Sequence, residues 1–162
     1  METQKPQPPK RKPGSAALSL TGRALRLLSA REHSRAELER KLAPFEEEPG
    51  ALAQVLDKLA AKDFINEARV VESVVHRRSA KWGALRIRQE LQGKGLEPEA
   101  VAEAVAHLRA SELERAREIW RKKFGVQPRD AAERAKQMRF LAGRGFGGET
   151  IHRVVSAGDD DA

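Results

Sequence analysis

The chain has 162 residues, a formal net charge of +7 from 31 basic and 24 acidic residues, and no cysteine. This length suits one domain or a short array of small units, and the lack of cysteine excludes disulfides and thiolate metal sites. No apolar run approaches the ~20 residues that span a bilayer, and the basic, proline-rich start lacks the apolar stretch of a secretory signal. Because alanine, leucine, glutamate and arginine dominate, we predict an all-α protein. The absence of cysteine is compatible with a reducing compartment, and we expect the protein in the cytoplasm.

Both ends of the chain are predicted to be disordered. Residues 1–18 are basic and rich in proline, and residues 158–162 carry three aspartates. Segments of this composition cannot bury enough apolar surface to offset the entropy of ordering. Their charges cancel, and the net positive charge therefore belongs to the body between them.

The first predicted unit, residues 19–65, opens with a helix from about Thr21 to Glu32. Ser34 and Glu37 then have the spacing of a capping box, in which a hydroxyl and a carboxylate each accept a hydrogen bond from a backbone N–H. Further helices follow this box and Pro49. The apolar positions expected to pack inward are Ala24, Leu25, Leu28, Leu38, Leu42, Leu52, Val55, Leu56 and Leu59. Phe64 and Ile65 are expected to pack into the joint with the second unit.

The second unit, residues 66–110, contains the clearest motif, two short helices joined by a tight turn between residues 83 and 108. Gly93 and Gly95 end the first of these helices, because glycine takes up the left-handed conformation without a Cβ clash. Asn66 can cap the helix that precedes them. The inward-facing positions are Val70, Val71, Val74, Val75, Ala84, Ile87, Leu91, Leu96, Val101, Val105 and Leu108.

The third unit, residues 111–157, repeats the same signals. Ser111 with Glu114 and Asp130 with Glu133 are spaced as capping pairs, and a short helix closes the unit at residues 149–155. The positions expected to face inward are Leu113, Ala116, Trp120, Phe124, Met138 and Leu141.

The three units are copies of one pattern. Leu42 falls under Leu91 after a shift of 49 residues, and a shift of 50 carries Leu91 to Leu141 and Gly95 to Gly145, with no gap in either pairing. A fixed period of this size indicates one helical unit used three times. We therefore predict three tandem three-helix, helix-turn-helix-like repeats that form an elongated, curved array.

Positive charge grows along this body, from 0 over residues 16–65 to +2 over residues 66–110 and +5 over residues 111–157. Such a gradient favours a polyanion, or a partner that carries one, beside the second and third units. Trp82 stands among the basic residues, either as a stacking or anchoring residue or as core between units, and we favour core. The candidate basic surface consists of Arg77, Arg78, Lys81, Arg86, Arg88, Arg121, Lys122, Lys123, Lys136, Arg139 and Arg144.

The sequence offers no chemistry for catalysis. Residues 143–148 match G-x-G-x-x-G, but a dinucleotide site needs a preceding strand and a later acidic residue, whereas a helix precedes this segment. The four histidines are scattered without a second ligand at helical spacing, and the carboxylates lie mainly at helix starts or opposite Lys and Arg. We expect no enzyme activity, no cofactor and no metal.

Four motifs occur in order along residues 21–156. They are Ala-Leu-x-x-Leu-x-x-Arg at 24–31, Ser-x-x-Glu-Leu-x-x-Lys-Leu at 34–42, Gly-x-x-x-Ile-x-x-Glu-Leu-x-x-Lys-Gly at 83–95, and Arg-Gly-Phe at 144–146. In these motifs the chain resembles the RecX family, regulators of the bacterial RecA recombinase. That family commonly starts its second unit with two acidic residues and then Arg-Phe-Ala, where this chain has residues 66–71 without an aromatic. The packing of the first joint is therefore an open question.

The resemblance implies a non-catalytic regulator that binds RecA–DNA filaments, blocks their extension and suppresses recombination, ATPase and coprotease activity. It implies contact with RecA and with single- or double-stranded DNA without sequence specificity, and we expect a monomer. One alternative is a stand-alone helix-turn-helix DNA-binding protein, although no helix concentrates the Arg, Asn and Gln residues that read bases. Another is a helical scaffold for an acidic protein. Binding to a membrane surface is the least favoured, because the apolar faces are needed internally.

Overall fold

The computed structural model describes residues 18–156, and within this range the chain is all helical. The tails predicted to be disordered lie outside the described residues, apart from Leu18. No helix of residues 18–156 is long and apolar enough to cross a membrane. The helices are α1 (Leu20–Ala30), α2 (Arg35–Leu42), α3 (Ala51–Ala61), α4 (Glu67–Arg78), α5 (Ala84–Gly93), α6 (Pro98–Ala110), α7 (Glu112–Lys123), α8 (Ala131–Gly143) and α9 (Gly148–Val155), with a 3₁₀ turn at Ala43–Phe45 after α2.

The helices group in threes, and each group encloses its own apolar core. Leu38 and Leu56 are fully buried between α1, α2 and α3, and Leu91 holds the same place between α4, α5 and α6. Leu141 and Phe146 centre the third core, between α7, α8 and α9. The prediction of three tandem three-helix repeats is thus confirmed, including the inward stripe at the 49- and 50-residue spacing.

Local capping explains where several helices begin. The Ser34 hydroxyl accepts the N–H of Glu37, and the Glu37 carboxylate accepts the N–H of Ser34 in return, which completes the predicted capping box. Asn66 accepts the N–H of Arg69, and Asp130 accepts the N–H of Glu133. Three of the predicted helix starts are therefore confirmed at the level of single hydrogen bonds.

Some residue-level predictions are wrong. Ser111 does not cap α7, because its backbone is not extended and its hydroxyl donates instead to the Leu108 carbonyl at the end of α6. Leu25 is 37% exposed, although it was expected to pack inward, and Phe64 is 47% exposed, although it was expected in the joint with the second unit. In both cases a neighbouring residue fills the space: Ala24 and Ile65 are buried in the first core.

The first and second units meet where the turn after α5 packs on the start of α2. The Ser34 hydroxyl donates to the Lys94 carbonyl over 2.5 Å, and Arg40 donates to the Gly93 carbonyl over 3.0 Å. The Lys94 ammonium also lies 3.2 Å from a Glu37 carboxylate oxygen. This first joint is therefore held largely by side chains, and charged ones in particular.

Arg69 forms a second set of ion pairs across the first joint. Its guanidinium donates to Glu32 over 2.9 Å and to the Asp63 carboxylate over 2.8 Å. Val70, which stands where the family pattern has an aromatic, is 1% exposed within the second core. The joint thus packs without the aromatic, and ion pairs at Arg69 span it.

The second joint repeats the arrangement with backbone groups. The N–H of Gly83 donates to the Arg144 carbonyl over 2.7 Å, and the N–H of Leu85 donates to the Gly145 carbonyl over 3.1 Å. Gly145 has φ +89°, and a Cβ at Gly83 would overlap the carbonyl of Gly145. Glycine is therefore required on both sides, because two backbones approach each other directly.

Candidate nucleic-acid interface

The second joint brings together residues from three separate stretches of the chain. Trp82 lies in the connection before α5, Arg86 lies in the first turn of α5, and Arg144 lies in the turn after α8. The Arg86 guanidinium carbon is 3.3 Å from the centroid of the Trp82 ring, and that of Arg144 is 5.0 Å away. Two cations of different units therefore share one indole ring.

Further aromatic rings extend this arrangement along the third unit. The Arg144 guanidinium is also 5.1 Å from the Phe140 ring centroid, and the Lys123 ammonium is 5.5 Å from it. Phe124 meets Phe140 edge to face, with centroids 5.4 Å apart. We use "basic belt" for Trp82, Arg86, Arg144, Phe140, Lys123, Phe124 and the exposed Lys136, which borders a shallow depression with Phe124.

The belt keeps its positive charge because aromatic faces, rather than carboxylates, hold most of its cations. A cation over an aromatic ring gains about 0.5–1 kcal/mol at an exposed site without losing its charge to an ion pair. Arg86 also donates to the Gly143 carbonyl over 3.1 Å, which fixes its direction. The result is a set of cations that are already oriented, and phosphate groups are their natural ligands.

Trp82 combines the two readings that the sequence left open. It is half-buried and packs against the core of the second unit, as expected for a core residue. Its ring also carries Arg86 and Arg144. The ring is therefore better described as a support for arginines than as a platform that is free to stack with a base.

The remaining candidate cations do not join the belt in the same way. Arg78 is paired with Glu90 over 3.0 Å, and Arg121 and Lys122 are paired with Glu118 on the outer side of α7. Arg88 lies on the other side of α5 from Arg86. Within the part of the chain that the structure describes, four of these remaining candidates are exposed and form no ion pair: Arg77, Lys81, Arg88 and Arg139.

Sequence reasoning missed two residues that shape this site. Phe140 was not singled out, although it lies four residues before Arg144 and four after Lys136, a spacing that places all three on one helix face. Arg115 was also overlooked. Its guanidinium donates to the carbonyls of Ser79, Trp82 and Leu108, and burial lowers the pKa of this group from its ordinary value.

Glu112 complements Arg115 at the second joint. Its carboxylate is 8% exposed and accepts hydrogen bonds from the N–H of Ala84 over 3.2 Å and from the hydroxyl of Thr150 over 3.3 Å. One helix start in the second unit is thus capped by an acid from the third. The two residues hold the segment that carries Trp82 and Arg86.

The described residues contain no cluster of three or more His, Cys, Asp or Glu side chains that could hold a metal ion. Gly145 of the G-x-G-x-x-G match follows helix α8 and occupies the same left-handed turn position as Gly95, whose φ is +68°. That segment therefore belongs to the repeat and to the second joint.

Comparison with known proteins agrees with this architecture. Family models described as the first, second and third three-helix domains of RecX match residues 22–59, 66–105 and 110–155. The chain resembles crystal structures of a regulatory protein RecX, with a TM-score of 0.71 over 85% of this chain and 71% of that one, and of RecX from Lactobacillus salivarius, with a TM-score of 0.72 over 86% and 94%. Both are 20% identical in sequence and support the fold alone.

Closer relatives establish the family. The chain is 53% identical over 144 residues to the regulatory protein RecX of Leptothrix cholodnii, which covers 89% of this chain and 92% of the relative. It is 46% identical over 142 residues to the regulatory protein RecX of Ralstonia nicotianae, which covers 88% and 89%. Together with three matched domains that fill most of the sequence, these likenesses make the chain a member of the RecX family of regulatory proteins.

Proposed function

We propose that the protein binds RecA–DNA filaments in the cytoplasm and inhibits their extension, and with it the recombinase, ATPase and coprotease activities of RecA. It would thereby restrain recombination and the SOS response. The observation that supports this most directly is the basic belt, which joins cations of the second and third units through shared aromatic rings. Membership of a family of regulatory proteins supports the regulatory role.

The belt would supply contact with the DNA of the filament. Its cations contact phosphates without reading bases, so the affinity should depend on salt and be indifferent to sequence. Because Arg86 and Arg144 are held in place, little side-chain entropy remains to be lost on binding. A second set of contacts with RecA itself would distinguish a filament from bare DNA.

Inhibition by a non-catalytic protein requires a difference in affinity between two states of its target. A regulator shifts an equilibrium only as far as it binds one state more tightly than the other. We propose that a monomer binds a filament state that cannot extend more tightly than the growing one. The ATP that is hydrolysed belongs to RecA.

The test measures RecA ATPase and strand exchange on single-stranded DNA with increasing amounts of the protein. The variant Lys123→Glu/Lys136→Glu reverses two exposed belt charges that take no part in the hydrogen bonds of either joint. Its matched control is Arg26→Glu/Lys58→Glu, which reverses two exposed charges of the first unit. We expect the belt variant to need at least about tenfold more protein for equal inhibition, which corresponds to about 1.4 kcal/mol. The proposal fails if the wild type does not inhibit at concentrations comparable with RecA, or if both variants inhibit equally.

Gel shifts on DNA alone distinguish this proposal from a stand-alone DNA-binding protein. Filament-directed binding predicts weak, sequence-independent shifts that fade between low and moderate salt. Sequence-selective shifts that survive moderate salt would favour the alternative.

A further inference from the structure

We propose that the side of the second and third units opposite the basic belt is a docking groove for an acidic, partly apolar segment of a protein partner. The groove is defined by Arg88 on α5, Arg109 on α6, Arg153 on α9 and the exposed Leu85. This inference does not depend on the proposed binding to RecA filaments, since it concerns a different surface and a different ligand chemistry.

The groove and the belt lie on opposite sides of one helix. Ile87 is 1% exposed and points into the second core. Successive residues of an α-helix are about 100° apart, so Arg86 and Arg88 leave the buried line in opposite directions. Arg86 joins the belt at Trp82, and Arg88 borders the groove with Arg109.

Two neighbouring depressions form the groove, and Arg109 borders both. The first has a volume of about 470 Å³, is bordered by Arg88 and Arg109, and has a floor of core residues that includes Leu96 and Val101. The second, of about 390 Å³, is bordered by Leu85, Arg109 and Arg153. Leu85 is 44% exposed at its edge. Apolar surface and cations thus alternate along the groove.

Among the described residues, no ion pair neutralises the groove arginines. Within residues 18–156, none of the three forms an ion pair or a side-chain hydrogen bond. Of the nearby carboxylates, Glu112 is engaged by Ala84 and Thr150, and Glu149 borders the second depression without pairing with Arg153. Three guanidinium groups therefore line a groove that holds two carboxylates, Glu112 and Glu149, which leaves a surplus of one positive charge.

Charge complementarity and the apolar floor together select the partner. Arginine forms bidentate hydrogen bonds with carboxylates, and arginine beside apolar surface is typical of the energetically dominant centre of protein interfaces. The described lining contains no aromatic ring on which a nucleobase could stack. A protein segment that offers carboxylates on either side of a large apolar side chain satisfies both features, whereas a nucleic acid satisfies only the charge.

The experiment titrates the isotopically labelled full-length protein with a short synthetic peptide of repeated Glu-Glu-Leu and follows backbone amide signals by NMR. We expect signals at Leu85, Arg88, Arg109 and Arg153 to shift. Arg88→Glu/Arg109→Glu should weaken the affinity for the peptide by about tenfold or more, because it reverses two groove charges. The belt variant Lys123→Glu/Lys136→Glu is the matched control and should bind the peptide as the wild type does.

Two further probes separate the chemical components. A peptide with Ala in place of every Leu should bind several-fold more weakly, as should the Leu85→Ala protein, whose backbone bond to Gly145 is retained. Circular dichroism checks that each variant is folded. The proposal is overturned if the peptide does not bind, if its shifts map to the belt, if loss of every Leu has no effect, or if an oligothymidylate displaces the peptide from the groove.

Discussion

Replacement of Glu37 by Gln should uncouple the first unit from the second. The Glu37 carboxylate is 5% exposed, and it accepts hydrogen bonds from Arg31 over 2.6 Å and from Lys94 over 3.2 Å. Burial by itself would raise the pKa of this carboxyl. The hydrogen bonds from Arg31 and from the Ser34 N–H, with the charge of Lys94, outweigh it and lower the pKa from 4.5 to about 2.

The size of the effect follows from that pKa. The difference between 4.5 and about 2 corresponds to at most about 3.5 kcal/mol, at about 1.4 kcal/mol for each tenfold change in the proton-binding constant. Because the Arg31 side chain is 35% exposed, water screens part of the attraction, and we expect Glu37→Gln to cost about 2 kcal/mol of unfolding free energy. Glu39→Gln is the matched control on the same helix. Its carboxylate is 52% exposed, and we expect a cost below about 0.5 kcal/mol.

The pH dependence gives a second test with a definite sign. A carboxyl whose pKa is lower in the folded state stabilises the protein above its unfolded pKa, and this contribution is lost as the pH falls from about 4.5 towards about 2. The difference in unfolding free energy between the wild type and Glu37→Gln should therefore disappear over that pH range, because the wild type loses this contribution. Burial also lowers the pKa of His33, and the charge of Glu37 partly opposes this, so Glu37→Gln should lower the His33 pKa further.

Urea unfolding is the suitable assay, followed by two signals. Circular dichroism reports all three units, whereas the two tryptophans, Trp82 and Trp120, report only the second and third. The reasoning predicts that Glu37→Gln shifts the circular dichroism transition to lower urea and separates it from the fluorescence transition. It is refuted if Glu37→Gln matches Glu39→Gln at neutral pH, or if its deficit persists unchanged near pH 2.

Substitutions at three further positions, Gly83, Arg115 and Asn66, test the second joint and the cap of α4 by thermal or urea unfolding. Gly83→Ala should destabilise the protein by at least about 2 kcal/mol, because the new Cβ would overlap the Gly145 carbonyl. The control Gly93→Ala has open space around its Cβ and should be neutral or stabilising by up to about 1 kcal/mol. Equal melting temperatures of the two variants would contradict the close backbone contact at the second joint. Arg115→Met should cost about 2–4 kcal/mol, because it leaves three carbonyls without their charged donor, and a change within about 0.5 kcal/mol would show that water replaces the guanidinium. Asn66→Ala should cost about 1 kcal/mol through the lost cap of α4. Asn66→Ser, which retains a capping acceptor without placing a second carboxylate beside Asp63, should restore most of it.

Periodicity and glycine placement were sufficient to predict the fold within each unit. Leu42, Leu91 and Leu141 recur at nearly constant spacing and are all 2% exposed or less. Helical stripes and left-handed glycine turns are local properties, because they depend on residues within a few positions of each other. A single sequence therefore reveals them directly.

The joints could not be predicted, because their partners are distant in sequence. The Glu112 carboxylate is bonded to the N–H of Ala84, and Arg115 to the carbonyls near Trp82, and no spacing rule links such positions. Ser111 was assigned as a cap on spacing alone, but α7 follows α6 so closely that its backbone cannot adopt the extended capping conformation. A local rule fails where the chain path is set by another unit.

The basic surface was predicted in composition but only partly in geometry. Arg86, Arg144 and Lys123 do meet through aromatic rings. Arg88 was grouped with Arg86 because the two are close in sequence, but a helix separates residues at i and i+2 onto different faces. The roles of all these cations stay predictions until binding is measured.

The contrast between the two joints has a consequence for how the array could be lengthened by engineering. The second joint needs glycine at positions 83 and 145, together with Arg115 and Glu112, whose side chains bond to main-chain groups of the second unit. That joint could therefore be transplanted between copies with a few substitutions and without a matched ion pair. The first joint, at Ser34 and Lys94, would have to be transferred as a complete set of matched polar side chains. An additional copy of the unit should therefore be attached through a duplicate of the second joint, whose main-chain hydrogen bonds should persist at high salt concentration.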